Sequence, residues 1–233
     1  MKRSEATAAS SPRDLIRSTR LFAGIDDEAI DELSRRSRVR AYRRSETIFM
    51  EGDPGESLFA VASGLVKVFV TSARGDELVL ATAGPGDSFG ELSLLDGEGR
   101  SASARALDAS TLVIVDRSAV LDLMLARPAV VDRMLRTLGA LARRLTDQAG
   151  DLVFLDLPGR IAKLILTLAE GRDATGSGVE MPFNQSDLAN MVGASRQTVN
   201  HVLRGFQATG HIAVEGRTLR ILRPDALRRR AGD

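Results

Sequence analysis

The chain has 233 residues, 43% of them hydrophobic and 27% charged, which supplies enough apolar material for a buried core and excludes a disordered protein. It has no cysteine, so disulfides, thiolate metal sites and cysteine-held iron-sulfur clusters are excluded, in keeping with a reducing cytoplasm. The net charge of +1 hides an asymmetry, with 11 Lys and Arg against 7 Asp and Glu from Leu157 onward, and with 4% aromatic residues and no tryptophan, base stacking is excluded as the main way of binding nucleic acid.

Residues 1–19 begin polar and Ala/Ser-rich, without the apolar centre of a secretory signal, and are expected to form a mobile tail. No later run has the length of a membrane span, so no membrane partner is expected. Leu21-Phe22-Ala23-Gly24-Ile25 leads into Asp26 to Leu33, where acids crowd the start of a short amphipathic helix and complement its dipole. These acids have no histidine nearby and point different ways around the helix, so no metal site is expected there.

From Arg40 to Asp116 the pattern changes to short β-rich runs: Thr47-Ile48-Phe49-Met50, Leu58-Phe59-Ala60-Val61, Leu65 to Val70, Leu78-Val79-Leu80 and Thr111 to Val115. Turn chemistry at Gly52-Asp53-Pro54-Gly55, Ser63-Gly64, Arg74-Gly75-Asp76 and Gly84-Pro85-Gly86-Asp87 separates them, which predicts a sandwich or barrel-like β-domain. Within it, Phe89 to Ala106 sets a carboxylate, a guanidinium and hydroxyls among small residues. Leu92, Leu94 and Leu95 would pin one side to a core, Gly90, Gly97 and Gly99 let the backbone approach a bound group, and Arg100 can pair with phosphate oxygens. An ordinary strand-loop-strand with a structural Glu-Arg pair is the alternative.

Val131, Leu138, Leu145 and Leu152 follow at intervals of seven, with Met134, Leu135 and Leu141 between them, which predicts a long helix with a coiled-coil-like seam. Leu138, Leu141, Leu145 and Leu152 are its candidate dimer contacts, against the alternative of a helix packed only on its own β-domain. Gln148 interrupts the stripe, and Gly150 is expected to loosen the helix. Leu157-Pro158-Gly159 then breaks the chain before a new helix from Arg160 to Glu170, followed by a polar loop from Gly171 to Gly178.

Asn184 can cap a helix with Asp187 three residues on, Leu188, Ala189 and Val192 supply its inner face, and Gly193 gives a sharp turn. Ser195 to Arg204 makes a second helix with Val199, Val202 and Leu203 inward. Helix, tight turn, helix is an arrangement that sends the second helix into a DNA major groove. Arg196, Gln197, Asn200 and His201 would face the bases, while Ser195, Thr198, Arg204 and Arg217, the last in a Gly210 to Ile221 hairpin wing, suit phosphates. Arg228-Arg229-Arg230 reads as a solvated basic tail.

Gly90-Glu91-Leu92 with Arg100-Ser101 resembles the phosphate-binding cassette of cyclic-nucleotide-binding domains, and Val192-Gly193-Ala194-Ser195-Arg196-Gln197-Thr198-Val199 resembles the helix-turn-helix of the CRP/FNR superfamily of bacterial regulators. The glycines at 52, 55, 64, 84 and 86 fall where the cyclic-nucleotide β-roll turns, so the likeness runs from about Leu21 to Leu227. It implies an α+β fold: a jelly-roll-like cyclic-nucleotide-binding β-roll over 20–125, a dimerisation helix over 126–155 and a C-terminal winged helix-turn-helix over 156–233. The implied ligand residues are Gly90, Glu91, Leu92, Arg100 and Ser101, with Glu91 on a ribose 2′-hydroxyl and Arg100 and Ser101 on a cyclic phosphate. The adjacent Thr and Ser that the family sets against adenine become Leu145 and Thr146 here, which leaves Thr146 as the base contact.

The resemblance further implies a cytoplasmic homodimer on double-stranded DNA with a palindromic operator, RNA polymerase as a further partner, and allosteric control by cyclic AMP. Cyclic GMP, cyclic di-GMP or no ligand at all remain alternatives, as does a cyclic-nucleotide-binding regulatory subunit of an enzyme, which would lack the winged helix. No metal or iron-sulfur cluster is expected, and no haem, since His201 and His211 both lie in the DNA-binding part. Nor is an enzyme, for Ser101 and Ser103 have no nearby histidine. Gln197 stands where catabolite activators usually carry glutamate and His201 where arginine often stands. The half-site is therefore expected to depart from the usual TGTGA-like element at the base pair Gln197 reads.

Overall fold

The computed structural model describes residues 11–169, 179–180, 184–216 and 218–232. The first ten residues of the expected tail, the Gly171 to Gly178 loop and Arg217 lie outside the described residues. The chain divides into two compact units, one of residues up to Val68 with Ala81–Ala140, the other of Phe69–Leu80 with the chain from Leu141 onward.

The first part of the chain runs through helix α1 (Pro12–Ser18), a 3-10 turn (Arg20–Phe22), α2 (Asp27–Arg35), strands β1 (Ser37–Tyr42), β2 (Thr47–Phe49), β3 (Ser57–Ser63), β4 (Val66–Thr71), β5 (Glu77–Ala83) and β6 (Ser88–Phe89), then α3 (Glu91–Asp96), β7 (Ser103–Ala106), β8 (Ser110–Asp116), α4 (Arg117–Ala126) and the long α5 (Pro128–Phe154). Two four-stranded sheets form, in the orders β1-β8-β3-β6 and β2-β7-β4-β5. Their facing sides bury Tyr42, Phe59, Val61, Val66, Phe89, Ala104, Leu112 and Ile114. Alternate residues on the same strands, Leu58, Ala60, Val113 and Val115, bury instead against Ile16, Phe22, Ile30, Leu33, Val120, Val130 and Met134 from the helices. Both faces of β3 and β8 are thus covered, which is why those strands read as continuous apolar runs. Each fully buried Leu, Ile or Phe contributes about 1.5–3 kcal/mol.

Residues 12–18, expected within the mobile tail, form helix α1. Ser11 caps α1 by accepting from the Asp14 amide, Pro12 presets its first turn, and Ile16 is fully buried. At the start of α2, Asp26 accepts from the Ala29 amide at 3.0 Å and from Arg127 Nε at 2.8 Å. The Arg127 hydrogen bond, with the helix cap, holds the Asp26 carboxyl down at about 2. Helix α5 runs without a break through Gly150 to Phe154, close to the expected end at 155.

In the second unit, α6 (Leu157–Ala169) already includes Pro158 and Gly159, which had been expected to break the chain. Asp156 makes this possible: its carboxylate accepts from the Gly159 amide at 2.8 Å, and proline is favourable in a first turn. Next come β9 (Val179–Glu180), α7 (Gln185–Val192), α8 (Arg196–Ala208), β10 (Ile212–Glu215), β11 (Thr218–Ile221) and α9 (Pro224–Ala231). The sheet order is β10-β11-β9, with antiparallel pairs. Ile161, Ile165, Leu188, Val192, Val199, Leu203, Phe206, Ile212, Leu219 and Leu227 are buried and form the interior of this unit. Arg230, in the expected solvated basic tail, donates to Asp156 at 2.7 Å and so ties α9 to the start of α6.

Candidate ligand cassette and nucleic-acid interface

The cassette is a helix start rather than a strand-loop-strand. After β6 the chain turns through Gly90 at φ +84°, and Glu91 opens α3. Only glycine fits at position 90: a Cβ there would lie 2.7 Å from Arg100 Nη1, and the left-handed backbone disfavours other residues. Gly55 makes room in the same way, since its Cβ would lie 2.2 Å from Ser93 Cβ. The Arg100 main chain is pinned across this gap, its amide donating to Asp53 O and its carbonyl accepting from the Gly52 amide, both at 2.8 Å.

Arg100 is only 4% exposed. Its Nη1 donates to Gly90 O at 2.9 Å and its Nη2 to Ser57 O at 2.7 Å. The guanidinium lies 4.5 Å from the Phe49 ring centre and 5.4 Å from that of Phe59, a cation-π arrangement. Burial lowers the Arg100 pKa, and the charges of Asp53 and Glu91 act in the opposite direction. Its Nε is buried without a hydrogen-bond partner. A desolvated cation with an unmet donor, beside a left-handed glycine, is a fitting receptor for a small anion such as a phosphate.

Glu91 is 8% exposed and stands at the first position of α3, while Ser101 is exposed at the cassette's outer edge. Leu94 is fully buried and Leu95 packs against the same core, as expected, but Leu92 is 37% exposed and pins nothing. The place inside is taken by Ser93, whose hydroxyl donates to Gly99 O at 3.1 Å and closes the loop. The cassette thus brings Gly90, Glu91 and Arg100 together, with Leu92 and Ser101 at its rim. Thr146 belongs to the other unit, is exposed, and donates its hydroxyl to Ala142 O at 3.0 Å within α5. On that helix Leu145 and Leu152 are 37% and 49% exposed, Leu135 is 62% exposed, and Leu138 and Leu141 are half-buried, which leaves an apolar stripe at the surface.

Both predicted helices of the DNA element are present. Asn184 accepts from the Ser186 and Asp187 amides, and Asp187 answers with a bond from the Asn184 amide, which completes a capping box at the head of α7. Gly193 makes the turn at φ +67°, and Ser195 caps α8 by accepting from the Thr198 amide at 3.1 Å. The Ser195 and Thr198 hydroxyls also meet each other at 2.7 Å. Leu188, Ala189, Val192, Val199 and Leu203 are buried, and Val202 is half-buried. Arg196, Gln197, His201 and Arg204 are exposed and Asn200 is half-exposed, all on α8.

A cleft of about 500 Å³ opens between α7, α8 and the β10–β11 wing, lined by Gln185, Arg196, Leu203, Val214, Thr218 and Leu219. Gln185, which the sequence presents only as part of a cap, reaches Asn200 and Arg196 with its side-chain oxygen, at 2.9 Å and 3.4 Å. No residue spacing signals this contact, which exists only once α7 and α8 are folded together. Phe49, Asp53 and the Ser57 carbonyl around Arg100 were missed for the same reason.

Residues 39–127 match the cyclic nucleotide-binding domain family, and residues 159–230 match the Crp-like helix-turn-helix domain family. The chain is similar to the CRP-like cAMP-activated global transcriptional regulator of Mycobacterium tuberculosis, 37% identical over 215 residues that cover 91% of this chain and 96% of that one. It is also similar to the cyclic AMP receptor protein of Thermus thermophilus, 33% identical over 201 residues, covering 86% and 91%. Among solved structures, the c-di-GMP responsive global regulator CLP of Xanthomonas campestris superposes with a TM-score of 0.74 at 26% identity, over 84% of this chain and 99% of that one. No described helix is long and apolar enough to cross a membrane. A cyclic nucleotide-binding domain and a Crp-like helix-turn-helix joined in one chain, with full-length relatives that are transcription regulators, mean that this protein is a DNA-binding regulator rather than an enzyme and belongs to the CRP/FNR family.

Proposed function

We propose that the protein is a cytoplasmic homodimer whose affinity for a palindromic operator is set by cyclic AMP. Arg100 carries this reading: its buried guanidinium has an Nε without a partner, a place for one more acceptor. Gly90, Glu91, Leu92, Arg100 and Ser101 would hold the ligand, Arg100 and Ser101 at the phosphate and Glu91 at the ribose. The two relatives named for cyclic AMP, at 37% and 33% identity, favour that nucleotide. The exposed stripe on α5 supports a second copy as its cover, with Leu138, Leu141, Leu145 and Leu152 in the seam. Ser195, Arg196, Gln197, Thr198, Asn200, His201, Arg204 and Arg217 would meet DNA.

A second reading has the same architecture answering to cyclic GMP, to cyclic di-GMP or to no ligand. It is favoured by the base position, where Leu145 is apolar and can neither donate to nor accept from a base, and by the likeness to a c-di-GMP responsive regulator. Calorimetry with cyclic AMP, cyclic GMP and cyclic di-GMP, paired with mobility shifts on selected operator DNA, separates the two. Heat with cyclic AMP alone and tighter operator binding in its presence are expected. Operator binding unchanged by all three would remove ligand control and leave the DNA-binding regulator.

A further inference from the structure

Gln185 stands one residue past the cap of α7, outside the helix that carries the predicted base readers. Its Oε1 accepts from Asn200 Nδ2 at 2.9 Å and faces Arg196 Nε at 3.4 Å. The arginine contact fixes the orientation of the amide, because a guanidinium N–H can only donate and must meet an acceptor. Arg196 and Asn200 are four residues apart on α8 and so share one face, where a single acceptor can bridge them.

Base reading by these side chains depends on orientation. Asparagine reads adenine by donating from Nδ2 while accepting at Oδ1, and arginine reads guanine with two donors at once. The bond to Gln185 uses one of the two Nδ2 hydrogens of Asn200; with the hydrogen that points away from Oδ1 engaged, the other stays with Oδ1 as the coplanar pair that adenine requires. It likewise engages Arg196 through Nε and leaves the two Nη groups, the fork that matches guanine. Long polar side chains otherwise lose rotamer freedom on binding, a cost that an existing clamp removes in advance.

We propose that Gln185 is a specificity-determining positioning residue, a clamp that holds Arg196 and Asn200 in base-reading orientation before DNA arrives. This rests on the reading that α8 enters the major groove. The contrary role, a direct phosphate contact by Gln185, would raise affinity for all sequences alike, with the salt slope unchanged because the amide is neutral.

The test uses the full chain with Gln185→Ala, Gln185→Glu, Asn200→Ala and the Gln185→Ala/Asn200→Ala pair, first checked for unchanged helical content by circular dichroism. Binding to a selected operator and to random DNA of equal length is measured across a salt series, with base preference read by selection from random DNA. Gln185→Ala is expected to weaken operator binding about five- to tenfold. Its affinity for random DNA and its salt slope should stay unchanged, and its base preference should broaden at the Asn200 and Arg196 positions. Gln185→Glu keeps the acceptor and should keep the pattern of preference, while its charge lowers both affinities together. In the Asn200→Ala background, Gln185→Ala should change nothing further at the base pair assigned to Asn200. The proposal is overturned if Gln185→Ala lowers both affinities equally, or selects the same sites as the unsubstituted protein. An unsubstituted protein that selects no sequence at all would instead overturn the groove reading, and the clamp with it, before any variant is compared.

Discussion

Arg100 is held in the free chain by two carbonyls and an aromatic surface, so removing its guanidinium acts on the fold as well as on the proposed ligand site. Arg100→Leu leaves Gly90 O and Ser57 O without those donors, a cost of about 1–3 kcal/mol. The protein should still fold, with calorimetric heat from the cyclic nucleotide abolished; a normal titration would show that the cassette is not the sensor. On α8, Gln197→Glu should move the preferred base at its position from adenine toward cytosine, by about 1–3 kcal/mol, and return the half-site toward a TGTGA-like element. Selection from random DNA reads this directly. The placements of Arg100 in the cassette and Gln197 on the exposed face of α8 were legible in the sequence because each sits in a contiguous motif. Gln185 and the Ser57 carbonyl were not: one is separated from Asn200 by fifteen residues, and the other is a backbone atom that any residue would supply.

Elements were legible where pattern and caps agreed. The α7 and α8 helices announced themselves through Asn184, Asp187, Gly193 and Ser195, all of which make the expected caps or turn. Strand β1 was missed because Ser37–Tyr42 sits at a sheet edge with four successive exposed residues, so it shows no alternation. Helix α1 was missed because its one fully buried side chain, Ile16, follows a polar stretch that dominates the local composition. Where α2 begins, the depressed Asp26 carboxyl predicts an acid sensitivity. Its pKa lies below the ordinary 3.8, so the stabilisation it gives is complete above that value and is lost as pH falls through about 2. The Asp26 carboxyl carbon, followed by NMR, should titrate near 2, and Arg127→Ala should raise that midpoint. An unmoved midpoint would assign the shift to the helix cap alone.

For the whole molecule, two copies joined along α5 would present two α8 helices to successive major grooves, about 34 Å apart. Inserting half a helical turn between half-sites of a selected operator should therefore weaken binding by at least about a hundredfold, toward the level of random DNA. Unchanged binding to the spaced operator would mean that the chain reads single half-sites. The chain's economy of aromatic residues has an optical consequence as well. With no tryptophan and a single tyrosine, all its ultraviolet emission of aromatic origin at long wavelength comes from Tyr42. That ring is buried in the same cluster as Phe49, Phe59 and Phe89, and the first two of these rings lie against Arg100. The native chain thus carries one fluorophore in the core that Phe59 shares, and the quantum yield of Tyr42 should report, without any label, whether ligand binding repacks that core.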